Sequence, residues 1–156
     1  MTADELKQQL ELPAVGQIGV VVKDLDPVVS FLETQFGLGP FRIEVLEAPN
    51  VWDRGEEKHI KARIGFAEMG QVELELIHIV EGESVHLEFL REHGEGIHHL
   101  GFRVTDFETK LAQAKAMGFE VLQTGPVGRF YAYLDTRRQG GLIFELIEAD
   151  ESRPQL

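Results

Sequence analysis

Hydrophobic and polar positions follow two different periods along this chain, and the change from one to the other marks its elements. Residues 17–26 (QIGVVVKDLD) and 99–108 (HLGFRVTDFE) are short runs rich in β-branched and aromatic residues, a composition typical of strands. The segment after the first run, DPVVSFLETQFG, has its apolar residues at helical spacing. We predict a helix there with Asp26 as its N-cap and Gly37 as its end.

The same order of elements then occurs a second time. A second helical pattern, DFETKLAQAKAMG, follows the run at 99–108, and the aligned runs place Gln17 over His99. Two later strand-like runs, GQVELELIHI and GGLIFELIEA, align so that Glu75 falls over Glu145. Such a repeat indicates two equivalent supersecondary units. We predict an α+β fold in which two tandem βαβββ modules form a curved sheet around a metal-binding cleft.

The repeat also sets the predicted boundaries along the chain. We expect an N-terminal surface helix over 1–13, a first module over 14–80 and a linker helix over 81–95. The second module is predicted over 96–150, and residues 151–156 are predicted to form a tail.

Composition and charge narrow the classes of partner. The net charge of −12 argues against nucleic acid as a partner, because phosphate backbones require clustered Lys and Arg. No apolar run reaches the roughly 18–20 residues that span a bilayer, so no membrane partner is expected. The chain has no cysteine, which excludes disulfides and thiolate metal ligands and is consistent with a cytoplasmic location.

The four polar residues at matched repeat positions form the candidate site. If the modules pack with pseudo-twofold symmetry, Gln17, Glu75, His99 and Glu145 converge on one point. One imidazole, two carboxylates and one amide oxygen suit a divalent metal, with Zn²⁺ as the first choice and Ni²⁺, Co²⁺ or Mn²⁺ as alternatives. Glu145 is also the candidate general base, because apolar residues surround it in GLIFELIE.

Simpler interpretations exist for each of these residues taken alone. A glutamate such as Glu75 usually faces solvent on an alternating strand, and a single histidine such as His99 is usually a hydrogen-bonded core residue. His98 should point to the opposite face from His99, because strand side chains alternate. The remaining histidines have no matched position, and we predict surface or edge locations for them: His59, His78, His86 and His93.

Several segments resemble a known superfamily over residues 14–150: IGVVVKDLD, GLGPF, ELELIHIVEGES, FLREHGEGIHHLGFRV and GGLIFELIE. They are similar to the vicinal oxygen chelate superfamily, which includes glyoxalase I, methylmalonyl-CoA epimerase, extradiol dioxygenases and bleomycin-resistance proteins. The likeness to methylmalonyl-CoA epimerases is greatest between Glu75 and Gly101, and it implies metal-ligand positions for Glu75, His99 and Glu145. Gln17 completes a set that looks like that of zinc-dependent glyoxalase I. Some epimerases carry a second catalytic carboxylate where this chain has Arg63 and Ile64.

The resemblance implies a metal-dependent isomerase or lyase that removes a proton next to a carbonyl through a metal-stabilised enolate. A methylmalonyl-CoA epimerase-like activity is the first expectation, with lactoylglutathione lyase (glyoxalase I) as one alternative. The other alternative is a non-catalytic binding protein of the bleomycin-resistance type, which would need no buried carboxylates. The expected partner is a small-molecule carbonyl or thioester substrate, and the expected assembly is a homodimer.

Overall fold

The computed structural model describes residues 2, 9–126 and 130–149, and these form eight strands and three helices. The first half consists of β1 (Gln17–Val21), α1 (Leu25–Phe36), β2 (Arg42–Asp53), β3 (Glu56–Met69) and β4 (Val72–Gly82). The helix α2 (Val85–His93) leads to the second half, which consists of β5 (Gly96–Val104), α3 (Phe107–Ala116), β6 (Val121–Pro126), β7 (Phe130–Leu134) and β8 (Phe144–Glu148). The predicted βαβββ order therefore occurs twice.

The termini lie largely outside this range. The helix predicted over 1–13 falls mostly on residues that are not described, and the described residues 9–13 are not helical. The tail predicted over 151–156 lies wholly outside the described residues.

The eight strands form one ring, in the order β1-β4-β3-β2-β6-β7-β8-β5. Within each half the first and last strands pair in parallel, β1 with β4 and β5 with β8. The halves meet through the antiparallel pair β1 and β5 and through a short contact of β2 with β6, where Trp52 pairs with Thr124 and Asp53 with Gln123. The predicted curved sheet is confirmed, and it curves far enough to close.

Helix α1 begins earlier than predicted. Its N-cap is Asp24, whose side chain makes no capping hydrogen bond, and Asp26 lies inside the first turn. There the Asp26 carboxylate accepts hydrogen bonds from Arg63 on β3, at 2.9 and 3.1 Å. The predicted end is correct: Gly37 adopts a left-handed conformation with φ 63°, which glycine accepts without steric cost.

Two helices cover the outer face of the barrel. The strand residues that pack against these helices point outward, so their neighbours along the strand point inward. Leu76 of β4 packs against Leu25 of α1, and Leu146 of β8 packs against Phe107 of α3. Because neighbouring strand residues point to opposite faces, the glutamates directly before these two leucines point into the barrel. None of the three helices in the described part of the chain is long and apolar enough to cross a bilayer.

Candidate metal centre

The structure brings the four predicted site residues together around the imidazole of His99. Its Nε2 atom lies 2.9 Å from Glu145 Oε2, 3.4 Å from Glu75 Oε2 and 3.2 Å from Gln17 Oε1. His99 is 1% exposed, Gln17 and Glu145 are each 6% exposed, and the Glu75 side chain is 12% exposed. These side chains lie inside the barrel, with Glu75 the most accessible.

The strand register explains this convergence. In the antiparallel pair of β1 and β5, Gln17 lies opposite Gly101 and Gly19 lies opposite His99. Gln17 and His99 occupy equivalent repeat positions, and so do Gly19 and Gly101. The two pairings are therefore related by the pseudo-twofold axis, which passes between β1 and β5.

The carboxylates come from the parallel neighbours of these two strands. Gly19 pairs with Glu75 on β4, and Gly101 pairs with Glu145 on β8. Each half thus contributes one residue from its first strand and one glutamate from its last strand. The repeat alignment predicted this arrangement from sequence alone.

Glycine at the two matched positions makes room for side chains on the neighbouring strands. A Cβ atom on Gly19 would lie 2.0 Å from Cε1 of His99, which is impossible without displacing the ring. A Cβ atom on Gly101 would lie 2.9 Å from Cδ1 of Ile147 and 3.0 Å from Cβ of Gln17. The glycine pair in the repeat is therefore a signature of the site.

The electrostatics of the cluster are dominated by burial and by the two carboxylates. Burial works to lower the pKa of His99, but Glu145 and Glu75 outweigh it and raise that pKa to about 9. Burial raises the pKa of Glu75 above its ordinary value, although His99 opposes the change. The cluster therefore favours a cation at its centre, whether a proton on His99 or a metal ion.

A metal ion fits these donors better than a proton does. One imidazole nitrogen carries at most one hydrogen, yet three oxygens surround His99 Nε2, and the buried Glu145 Oε2 accepts no hydrogen bond of good geometry from the described residues. Zn²⁺ bonds to N and O ligands measure about 2.0–2.2 Å, which implies ligand atoms about 3.0–3.5 Å apart. The distances from His99 Nε2 to the three oxygens, 2.9, 3.2 and 3.4 Å, lie within or 0.1 Å below that spacing.

The prediction that His98 points away from His99 is wrong. The pairing of β1 with β5 shifts after Gly19, which lies opposite His99, so that Val20 lies opposite Ile97 and His98 has no partner. Such a bulge breaks the alternation of side chains on the strand. His98 is 3% exposed, and its Nδ1 lies 3.0 Å from Nδ1 of His99, within hydrogen-bond distance.

The prediction of a surface or edge position for His86 is also wrong. His86 is 5% exposed, and its Nε2 lies 2.8 Å from the hydroxyl oxygen of Tyr133. Burial lowers the pKa of His86 to about 3 and also lowers that of His98, so both rings are neutral. The helix α2 that carries His86 has no counterpart in the repeat, so the alignment held no signal for it. His59 and His93 are exposed, as predicted.

These buried rings pack together beside His99, and Tyr133 also lies next to Glu145 as its partner in the pairing of β7 with β8. Tyr133 contacts His99, His98 and His86, with ring centroids 4.9–5.2 Å apart. The three histidines by themselves could also hold a metal ion. That trio contains no carboxylate to balance a divalent charge, whereas the group of Glu75, His99 and Glu145 contains two. The carboxylate-bearing group is the better candidate.

The strand β3 supplies no further carboxylate at the two positions singled out in the sequence. Arg63 faces α1 and pairs with Asp26, and Ile64 is buried in the core. Within the described residues, Glu75 and Glu145 are the carboxylates that group with His99 within reach of one metal ion.

Comparison with known proteins agrees with this architecture. Residues 16–133 match the glyoxalase/bleomycin resistance protein/dioxygenase superfamily. An uncharacterized protein of Bacillus subtilis, YqjC, is 28% identical over 139 residues, which cover 86% of this chain and 91% of that protein.

Among solved structures, a methylmalonyl-CoA epimerase of Streptomyces coelicolor aligns with a TM-score of 0.72 at 23% identity, covering 92% of this chain and 99% of that one. The methylmalonyl-CoA epimerase of Mycobacterium tuberculosis aligns with a TM-score of 0.68 at 19% identity, covering 90% and 91%. At such identities the likeness shows a shared fold, and a shared fold does not establish a shared activity.

The superfamily match covers most of the chain and spans both halves of the barrel. Together with the repeated βαβββ order and the ring of eight strands, it identifies the family. The chain belongs to the glyoxalase/bleomycin resistance protein/dioxygenase superfamily.

Proposed function

We propose that this chain is a metal-dependent isomerase or lyase that removes a proton from a carbon next to a carbonyl group. Gln17, Glu75, His99 and Glu145 hold the divalent ion, for which Zn²⁺ is the first choice and Ni²⁺, Co²⁺ or Mn²⁺ are alternatives. The observation that carries the proposal is the convergence of three oxygens on His99 Nε2, with the buried Glu145 Oε2 lacking a well-formed hydrogen bond.

Glu145 is the proposed base. When bound, the ion polarises a substrate carbonyl and so acidifies the neighbouring C–H bond. Glu145 lies inside the barrel beside His99, and its two carboxylate oxygens allow one to hold the ion while the other accepts that proton. It then returns the proton to the adjacent carbon or, once the planar carbon has turned its other face toward Glu145, to the opposite face of the same carbon.

The other three side chains hold and shape the site. His99 and Glu75 supply a nitrogen and a carboxylate oxygen from the two halves of the barrel. Gln17 supplies a neutral amide oxygen, which is a weaker donor than a carboxylate and can give up its place to a substrate oxygen. Two carboxylates balance the charge of a divalent ion, so the site can accept a neutral or singly anionic ligand.

Methylmalonyl-CoA or a similar thioester is the first proposed substrate. The support is the likeness in fold to methylmalonyl-CoA epimerases, one of which is described in complex with 2-nitronate-propionyl-CoA. Lactoylglutathione lyase activity is the second candidate. The donor set favours it, because an amide, two carboxylates and one imidazole meet at the site.

Metal analysis of the purified protein, followed by two activity assays, tests the proposal. We expect about one divalent ion per chain and turnover of either methylmalonyl-CoA or the hemithioacetal of methylglyoxal and glutathione. Metal without turnover of either compound would leave the metal centre standing and remove both named substrates. A chain that binds no metal after supplementation would instead support a binding protein of the bleomycin-resistance type.

We also propose that the chain forms a homodimer. The closed ring leaves no open sheet edge in the described residues, so the driving force is the exposed apolar surface. Phe31 and Phe36 of α1 pack edge to face, with centroids 5.3 Å apart, yet are 53% and 64% exposed. Sedimentation at micromolar concentration tests this, and a purely monomeric protein would contradict it.

A further inference from the structure

A chain of hydrogen bonds that runs from Gln17 through Glu73 to Arg103 holds the Gln17 amide group. Gln17 Nε2 donates to Glu73 Oε1 at 3.0 Å. The same oxygen accepts from Arg103 Nη2 at 3.1 Å. Arg103 Nη1 donates to the backbone oxygen of Gly16 at 2.9 Å, which ties the guanidinium to the start of β1.

The chemistry of this contact decides which way the amide points. An ionised carboxylate only accepts hydrogen bonds, so the group that faces Glu73 must be the Gln17 NH₂ and cannot be its carbonyl oxygen. The carbonyl oxygen is therefore turned toward His99 Nε2, at 3.2 Å. Arg103 holds Glu73 in place through a charge-assisted hydrogen bond.

The backbone is shaped to accept the guanidinium. A Cβ atom on Gly16 would lie 2.6 Å from Arg103 Nη1, so a larger residue there would push the arginine away. Arg103 and Glu73 are only 28% and 18% exposed, so solvent competes less with their pairing than it would at an open surface.

The repeat offers an internal comparison. The alignment that places Gln17 over His99 and Glu75 over Glu145 also places Glu73 over Ile143. The half that supplies an imidazole has an apolar residue at this position, and the half that supplies an amide has a carboxylate. An imidazole presents nitrogen on either edge, whereas an amide presents an oxygen donor in only one of its two orientations.

We propose that Glu73, held by Arg103, is a positioning residue that fixes the Gln17 amide with its oxygen toward the metal centre. The inference rests on the proposed metal-binding function. In this proposal Glu73 does not contact the ion, and Arg103 does not contact the substrate. Loss of a residue that orients a metal ligand typically weakens metal affinity by about 10–100-fold.

The test is a double-mutant cycle on metal-free protein, read as Zn²⁺ affinity by competition with a chromophoric chelator. The four proteins are the wild type, Glu73→Gln, Gln17→Ala and the double variant. Glu73→Gln keeps the size of the side chain but offers both a donor and an acceptor to the amide, so either orientation of Gln17 becomes possible. We expect it to weaken Zn²⁺ binding by about 10–100-fold in the wild-type background and to change little in the Gln17→Ala background.

An equal loss in both backgrounds would mean that Glu73 acts through its charge, and this would overturn the inference. If the wild type binds Zn²⁺ and Glu73→Gln binds it with the same affinity, the inference is overturned but the proposed metal centre is not. A wild type that binds no Zn²⁺ would overturn the proposed function first and this inference with it.

A second variant and a stability measurement guard against simple misfolding. Arg103→Lys keeps the positive charge but loses the fork that reaches Gly16 and Glu73 together. We expect a smaller loss of Zn²⁺ affinity in the same direction, with metal-free melting temperatures that stay close to wild type. The Co²⁺ absorption spectrum of Glu73→Gln should also change, because the donor set changes, and an unaltered spectrum would count against the role.

Discussion

The two halves of the barrel share one order of elements but support their proposed metal ligands in different ways. In the first half, Gln17 is held by the partly exposed pair of Glu73 and Arg103. In the second half, His99 lies against His98 and Tyr133, both of which are buried. The first support is a set of polar contacts near solvent, and the second is a packed group of rings.

For the proposed metal ligands, this difference predicts separate duties at equivalent positions. A buried, tightly packed imidazole cannot move without creating a cavity, so His99 is suited to anchoring an ion. An amide held by hydrogen bonds near solvent can be displaced at lower cost. Under the proposed function, the same strand position therefore supplies one fixed and one exchangeable ligand.

Removing the two equivalent ligands should have very different effects. His99→Ala deletes the nitrogen donor around which the three oxygens converge, and we expect it to lose metal and activity together. Gln17→Ala should retain metal with reduced affinity, because one imidazole and two carboxylates remain. Metal stoichiometry and turnover on both variants test the comparison. Equal metal loss from the two would show that the halves do not differ in this respect.

The repeat carried most of the information that the sequence contained about the site. It aligned Gln17 with His99 and Glu75 with Glu145, and the structure places all four side chains around one point. It could do so because strand register relates matched residues by a twofold axis.

What the repeat could not show lies where the symmetry fails. A bulge at His98 is set by how β1 and β5 pair, which local alternation does not reveal. His86 lies on α2, which has no counterpart in the other half. The closure of the ring through β2 and β6 rests on two residue pairs, too few to leave a pattern in the sequence.

The two glutamates at matched positions should separate proton transfer from metal holding. Glu145→Gln keeps the size of the side chain and one oxygen donor but cannot accept a proton. We expect turnover to fall by roughly 10²–10⁴, the usual contribution of a positioned base, while metal binding persists. Glu75→Gln, as the matched control, should weaken metal binding and recover most of its turnover at saturating metal. Full turnover by Glu145→Gln on the true substrate would remove the base assignment and leave only a role as ligand.

Substitution of the two matched glycines by alanine has the smallest expected effect, and it allows the packing of the two halves to be compared directly. An alanine methyl at Gly19 would meet the His99 ring at 2.0 Å, whereas one at Gly101 would meet Cδ1 of Ile147 at 2.9 Å and Cβ of Gln17 at 3.0 Å. Overpacking of this kind usually costs about 1–3 kcal/mol of unfolding free energy.

We expect Gly19→Ala to lie at or above the upper end of that range and Gly101→Ala nearer the lower end. The packed ring of His99 cannot yield, whereas the end of the Ile147 side chain can rotate and the contact with Gln17 Cβ at 3.0 Å needs a shift of only a few tenths of an ångström. Denaturant unfolding of both metal-free variants measures the difference, and Zn²⁺ titration shows whether His99 has been displaced. Equal losses of stability, with metal affinity unchanged in both, would mean that His99 is no more rigidly held than Gln17.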